Sequence, residues 1–145
     1  MILSKEYIAG FFDGEGHVSI TWTERGESRN PKLCVKITNT HLPTLKEMKR
    51  QYGGCITSNK KQFDHYLQCY VLNMTVEQSK FFLTDMLPYL FVKKRQAELA
   101  LMFSETVYRR GKKPVSDEEI RIREYCMEEV RKDKLIDFQI EELAV

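Results

Sequence analysis

The chain has 145 residues, 42% of them hydrophobic and 30% charged, which suits one globular domain and is short for two. Its net charge of +2 hides an asymmetry: residues 1–115 carry 18 Lys and Arg against 11 Asp and Glu, a balance of +7, whereas residues 116–145 carry 5 against 10, a balance of −5. No stretch approaches the roughly 18 apolar residues of a membrane span and no apolar run follows a basic start, so the expectation is an intracellular, non-secreted protein with no membrane partner.

Ser4 suits an N-cap, and the helix it opens runs to Gly14 and Gly16, where helices commonly stop. In "HVSITWTER" apolar Val18, Ile20 and Trp22 alternate with polar His17, Ser19, Thr21 and Thr23, the pattern of a half-buried strand. "KLCVKIT" alternates likewise, with Leu33, Val35 and Ile37 on one face and Lys32, Cys34, Lys36 and Thr38 on the other, so the two strands predict an antiparallel hairpin. Pro43 suits a first helical turn, and Leu42, Leu45, Met48 and Tyr52 recur at helical spacing until Gly53 and Gly54. A second hairpin is expected over residues 55–60 and 66–74. Thr75-x-x-Gln78 is a capping-box pattern, and Pro88 closes the helix that it opens. "VKKRQAELALMFSETVY" predicts a long helix ending near Gly111 and Pro114, Ser116-x-x-Glu119 caps one more, and "LIDFQIEELAV" is ambiguous. Helix, two strands, helix, two strands and then helices is an α+β order with helices on one sheet face. Residues 1–115 form its core, and residues 116–145 an acidic helical extension of the same domain.

The polar sheet face is the candidate binding surface. Lys32, Cys34, Lys36 and Thr38 lie beside Ser19, Thr21, Thr23 and Arg25, with Ser58 and Lys60 from the third strand. Two-stranded ribbons fit the DNA major groove, where such side chains read base edges, and the basic body suits a polyanion. An ordinary solvated face fits the same pattern. Cys34, Cys55, Cys69 and Cys126 lack paired CxxC spacing and are read as free thiols, not zinc ligands.

On a helical wheel of residues 7–14, Tyr7, Ile8, Phe11 and Phe12 make a core face. Ala9, Gly10, Asp13 and Gly14 fall opposite. Each glycine within a helix costs about 1 kcal/mol relative to Ala. A Gly-x-x-x-Gly stripe would permit close approach of another backbone, and because the chain holds no second copy, a like partner helix must come from a second chain, as a homodimer. Relief of crowding beneath the chain's own sheet is the alternative. Asp13 and Glu15 stand at a helix C-terminus, where carboxylates are disfavoured by about 0.3–1 kcal/mol. Asp13 suits backbone hydrogen bonds, and Glu15 suits a hard divalent cation such as Mg²⁺.

Ile8-Ala9-Gly10-Phe11-Phe12-Asp13-Gly14-Glu15-Gly16 resembles the signature of the LAGLIDADG homing endonucleases, and "LPYLFVKKRQAELAL" resembles their segment after the second strand pair. The resemblance implies an αββαββα core with a saddle-shaped antiparallel sheet and C-terminal helices. It also implies a single-motif homodimer that hydrolyses both strands of double-stranded DNA at a long, roughly palindromic target with Mg²⁺ or Mn²⁺. On it, Glu15 is the metal-binding catalytic acid and Gly14 lends a carbonyl to the metal. Lys93, with Lys94 as its competitor, steadies charge, and Asn39 positions solvent. Glu15 is one methylene longer than the commoner Asp, and Asn39 is shorter than the Gln of some relatives. A non-cleaving RNA maturase or DNA-binding regulator of the same fold is the rival reading, and a structural dimer is a third.

Overall fold

A computed structural model describes residues 2–21, 32–107 and 116–143, the last eight of these by backbone alone. Helix α1 (Lys5–Glu15) leads directly into strand β1 (Gly16–Thr21), followed by β2 (Lys32–Asn39), α2 (Leu42–Tyr52), β3 (Cys55–Ser58), β4 (Tyr70–Asn73) and α3 (Val76–Met86). A 3-10 turn (Leu87–Tyr89) connects to α4 (Lys94–Val107), and α5 spans Asp117–Leu143. The expected αββαββα core with C-terminal helices is present. Its sheet is open and antiparallel in the order β1-β2-β4-β3. Trp22, Thr23, Arg25, Gly111 and Pro114 lie outside the described residues.

One sheet face carries the core. Val18, Leu33, Val35, Ile37 and Leu72 point into it and meet Ile8, Ala9 and Phe12 of α1, Leu45 and Met48 of α2, Phe82, Leu83 and Met86 of α3, and Ala97 and Ala100 of α4. Phe82 sits at the junction, edge-on to both Phe12 and Tyr52 with ring centroids 5.0 Å apart in each pair. Burying each such ring contributes about 1.5–3 kcal/mol, and edge-to-face geometry adds to it. Around the rim, the Asp85 carboxylate accepts from Lys5 Nζ and Tyr52 Oη, each at 2.6 Å, tying α3 to α1 and α2. Lys5 first and Tyr52 second hold that carboxyl below its usual range.

The expected stops and starts have local causes. Ser4 Oγ accepts from Tyr7 N–H, and Thr75 and Gln78 form the reciprocal capping box. Ser116 and Glu119 do the same for α5. Gly53 and Gly54 adopt φ of 82° and 106°, which L side chains rarely take, and so end α2. The second hairpin is shorter than its sequence suggests: β4 begins at Tyr70, not at Tyr66. Phe63, His65 and Tyr66 instead pack on one another in the connection, with centroids 4.7–5.6 Å apart. The ambiguous tail continues α5 as helix to Leu143. Among the described residues no helix is long and apolar enough to cross a membrane.

Helix α1 divides its faces differently from the simple wheel. Ile8, Ala9 and Phe12 are fully buried, while Tyr7 is 49% exposed and Gly10 and Gly14 are exposed. Phe11 is half-buried and stacks on Tyr7 with centroids 6.2 Å apart. Ala9 therefore belongs to the core and not to the outward stripe, and Tyr7 belongs outside. The outward stripe is Tyr7, Gly10 and Gly14, at spacings of three and four residues, while Phe11 packs against the core from its margin. Spacing alone does not separate these faces, because apolar residues occupy both sides of a short helix.

Gly16, at the α1–β1 junction, has an ordinary extended backbone, but a Cβ there would overlap the Phe12 ring and carbonyl. Gly16→Ala is expected to lower stability by about 1–3 kcal/mol in urea unfolding, because the ring it displaces lies at the centre of the core.

Candidate active site and nucleic-acid interface

The site is built where α1 stops. Helix termini leave backbone groups without intrahelical partners, and their partial charges are opposite at the two ends. Here the C-terminus of α1 meets the approach to the N-terminus of α4. The Asp13 carboxylate accepts Phe91 N–H at Oδ2 and Lys93 N–H at Oδ1, both at 2.9 Å. In return, Lys93 Nζ donates to the Asp13 carbonyl oxygen. Asp13 is thus occupied as an anionic clasp on the approach to α4, and Lys93 is the lysine that reaches α1. Lys94 stands exposed in the first turn of α4. Glu15, the last residue of α1, is exposed, and so is Gly14, where a Cβ would meet nothing within 4 Å.

β1 starts at once from this helix end, so the sheet's outer face begins beside Glu15. The pairing Gly16↔Ile37 sets the register. His17, Ser19 and Thr21 then stand opposite Lys36, Cys34 and Lys32. The row continues from Lys36 to Asn73 and on to Cys55, and the next row runs from Thr38 through Val71 to Thr57. The outer face is therefore continuous across four strands, and the expected Ser19, Thr21, Lys32, Cys34, Lys36 and Thr38 form its β1 and β2 part. The Cys34 thiol points towards the Met74 carbonyl at 3.7 Å and is half-buried.

Two sequence-predicted positions, Ser58 and Lys60, depart from that face. Ser58 pairs with Tyr70, next to the Ile56↔Leu72 pair, which places it on the core-side parity. Lys60 lies beyond the end of β3 in an exposed connection, and Thr23 and Arg25 fall outside the described residues. The outer face gains Cys55, Thr57 and Asn73 instead, with Asn73 Nδ2 donating to Thr57 Oγ1 at 3.2 Å. Only the register reveals them, because a four-residue strand gives too little alternation to assign its faces. Asn39 ends β2, and its Oδ1 accepts His41 N–H at 2.8 Å, which fixes its amide at the turn into α2.

Three ammonium groups act on the start of β1, beside the carboxylate of Glu15. Burial pushes the His17 imidazole below its ordinary pKa, and Lys134, Lys36 and Lys93 push it further the same way. Lys134, from α5, donates from Nζ to the Val18 carbonyl at 2.6 Å. Burial first and the Lys93 charge second lower its pKa. Sequence patterning missed Lys134 because it lies in the acidic segment, 116 residues from its partner. Among the described residues no group of three or more His, Cys, Asp or Glu side chains could hold a metal ion.

No family model and no curated protein matches the chain. Solved structures do. An archaeal intron-encoded homing endonuclease complexed with DNA, I-Vdi141I, is 19% identical, with 89% of this chain and 82% of that one covered and a TM-score of 0.68. The homing endonuclease I-TnaI is 17% identical over 97% of this chain and 99% of its own, with a TM-score of 0.60. The LAGLIDADG meganuclease I-CpaMI, bound to uncleaved DNA, is 16% identical, with 81% of this chain and 40% of that chain covered and a TM-score of 0.64. The chain has the fold of the LAGLIDADG homing endonucleases, at the size of one unit of it.

The two acids differ in structural role, and their variants are expected to differ in stability. Asp13→Asn puts an amide where two N–H donors need an anion and should cost about 1–3 kcal/mol in thermal unfolding. Glu15→Gln, at an exposed helix C-terminus, should stay within about 0.5 kcal/mol of the wild type.

Proposed function

We propose that the chain is a homodimeric, divalent-metal-dependent, site-specific endonuclease that hydrolyses both strands of double-stranded DNA at a long, roughly palindromic target. The observation that carries this reading is the placing of exposed Glu15 at the junction of α1 with a basic sheet face, while neighbouring Asp13 is fully engaged in the fold. An exposed carboxylate two residues beyond the carbonyl that Lys93 holds, in a fold shared with DNA-bound homing endonucleases, is best explained by chemistry on a phosphodiester.

Assembly follows from α1. Beyond Gly10 and Gly14 the protomer has open space, so its own packing does not account for two helix-weakening glycines. The outward stripe is flanked by apolar Tyr7 and Phe11, and the segment held by Asp13 presents Phe91 and Val92, which are 89% and 51% exposed. A second copy of the same stripe would cover these groups and bring both Glu15 residues towards a twofold axis. The glycines would let the crossed backbones approach closely.

Glu15 and the Gly14 carbonyl would hold Mg²⁺ or Mn²⁺, since Mg²⁺ sites commonly use one or two carboxylates and leave the remaining positions to water and phosphate. Bound there, such a cation supplies Lewis-acid activation of water and neutralises phosphate charge. Lys93 keeps its ammonium at the end of α1, where it stabilises the extra negative charge that develops as water oxygen bonds to phosphorus and a backbone P–O bond breaks. Asn39, its amide fixed by His41 N–H, orients solvent. Lys32 and Lys36 contact phosphates, and Ser19, Thr21, Thr38, Thr57 and Asn73 are placed to read base edges. Cys34 is a lesser contact because its thiol turns to backbone carbonyls.

The test is cleavage of DNA joined across the site where the coding sequence is inserted, with Mg²⁺ and with EDTA. Wild type should make a Mg²⁺-dependent double-strand cut, and Glu15→Gln should lose at least about 100-fold in rate while still binding. Salt-sensitive binding without any cut would instead favour a maturase or DNA-binding regulator. For the interface, Gly10→Leu should leave a folded monomer by sedimentation velocity, because its side chain projects into open space, and should abolish cleavage. A variant that remains dimeric and active would exclude α1 as the interface.

A further inference from the structure

We propose that Lys134 of α5 is a second phosphate-binding lysine, which with Lys93 flanks the phosphodiester addressed by Glu15, so that the C-terminal helix completes the site. This rests on the nuclease reading but concerns residues outside the motif.

Lys134 reaches the open edge of the sheet. β1 is the terminal strand, and Val35, the register partner of Val18, donates its N–H to Ser79 Oγ and accepts Met74 N–H at its carbonyl. The Val18 carbonyl consequently faces away from β2, and Lys134 Nζ donates to it at 2.6 Å. Capping one edge carbonyl requires only a neutral donor or a water. A half-buried ammonium is costly in that role, and the cost rises with the like charge of Lys93 nearby. An ammonium has three N–H groups, and one is used on Val18.

The surroundings point to an anion. Lys93 arrives from the α3–α4 connection and Lys134 from α5, and their amines donate to backbone carbonyls, of Asp13 and of Val18, on the two sides of the α1–β1 junction. The Asp13 carboxylate is directed at the Phe91 and Lys93 N–H groups. Two lysines from separate parts of the fold thus hold their ammonium groups at the α1–β1 junction, beside exposed Glu15. A phosphodiester placed there relieves the mutual repulsion of the lysines, and Val18 O fixes the direction of the Lys134 amine.

Two readouts on the duplex used above separate this role from edge capping. Lys134→Gln should make the slope of log affinity against log salt shallower by about 0.9, the loss of one neutralised phosphate. It should also slow single-turnover cleavage at saturating DNA by about 10- to 100-fold. Lys134→Arg should retain most of both. An unchanged slope and rate in Lys134→Gln, with only a lower Tm, would overturn the proposal. If wild type binds but does not cut, the nuclease reading fails and the slope still decides Lys134; if wild type does not bind duplex at all, both fall. Should Lys134→Gln not fold, amine acylation of wild type followed by mass spectrometry supplies the answer. Lys134 should become protected when duplex is added, and equal labelling with and without duplex would overturn the proposal.

Discussion

The clasp between Asp13 and the approach to α4 is the interaction on which the rest depends. Two backbone N–H groups, Phe91 and Lys93, converge on one carboxylate, and the Lys93 side chain returns to the carbonyl of the same residue. Opposite ends of two helices meet in this exchange: the anion lies near the N-terminal end of α4 and the ammonium at the C-terminal end of α1, the arrangement that helix dipoles favour. It sets the direction of α4, fixes Lys93 beside the junction with the sheet, and holds Phe91 and Val92 at the surface. A carboxylate bound by two N–H groups is no longer free for other chemistry, so the structural task falls to Asp13 and Glu15 remains exposed.

α1 consequently serves several surroundings within eleven residues. Ile8, Ala9 and Phe12 anchor it in the core with Phe11 at the margin, Asp13 ties it to α4, and Tyr7, Gly10 and Gly14 look outward. Gly16 is the steric condition for the whole arrangement, because the chain can turn from helix into β1 against the Phe12 ring only without a Cβ. β1 thereby starts one residue after Glu15, which fixes the acid relative to His17 and Lys36 through strand register and not through a loop.

The element order, the caps and the faces of β1 and β2 were legible in the sequence because long alternating strands and reciprocal capping residues are local signals. The outward face of α1 was legible only in part. Tyr7 is largely apolar, and on a short helix spacing does not distinguish it from Ile8 and Phe12. Ser58 illustrates a second limit: its face depends on pairing with Tyr70, and four residues of β3 do not fix their own register. The bond from Lys134 to Val18 was invisible in principle, since no local pattern reports a contact across 116 residues.

Charge shows the same contrast between sum and placement. The acidic balance of residues 116–145 argues against α5 sharing an anion-binding site, yet the acids of α5 do not act as a uniform field. Glu128 and Glu129 both pair with Lys132 at 3.2 Å, within a turn of their own helix, and Glu119 accepts from the Ser116 backbone at the N-cap. Lys134, by contrast, is directed to β1, where the group that most perturbs it after burial is another cation. At physiological salt the Debye length is about 8 Å, so a phosphate at the β1 edge would respond mainly to the nearest ammonium groups and much less to paired, exposed carboxylates farther along the helix. A segment with net negative charge can therefore contribute a positive group to a site for an anion, provided that its acids are matched locally and its one inward lysine is held by a backbone carbonyl.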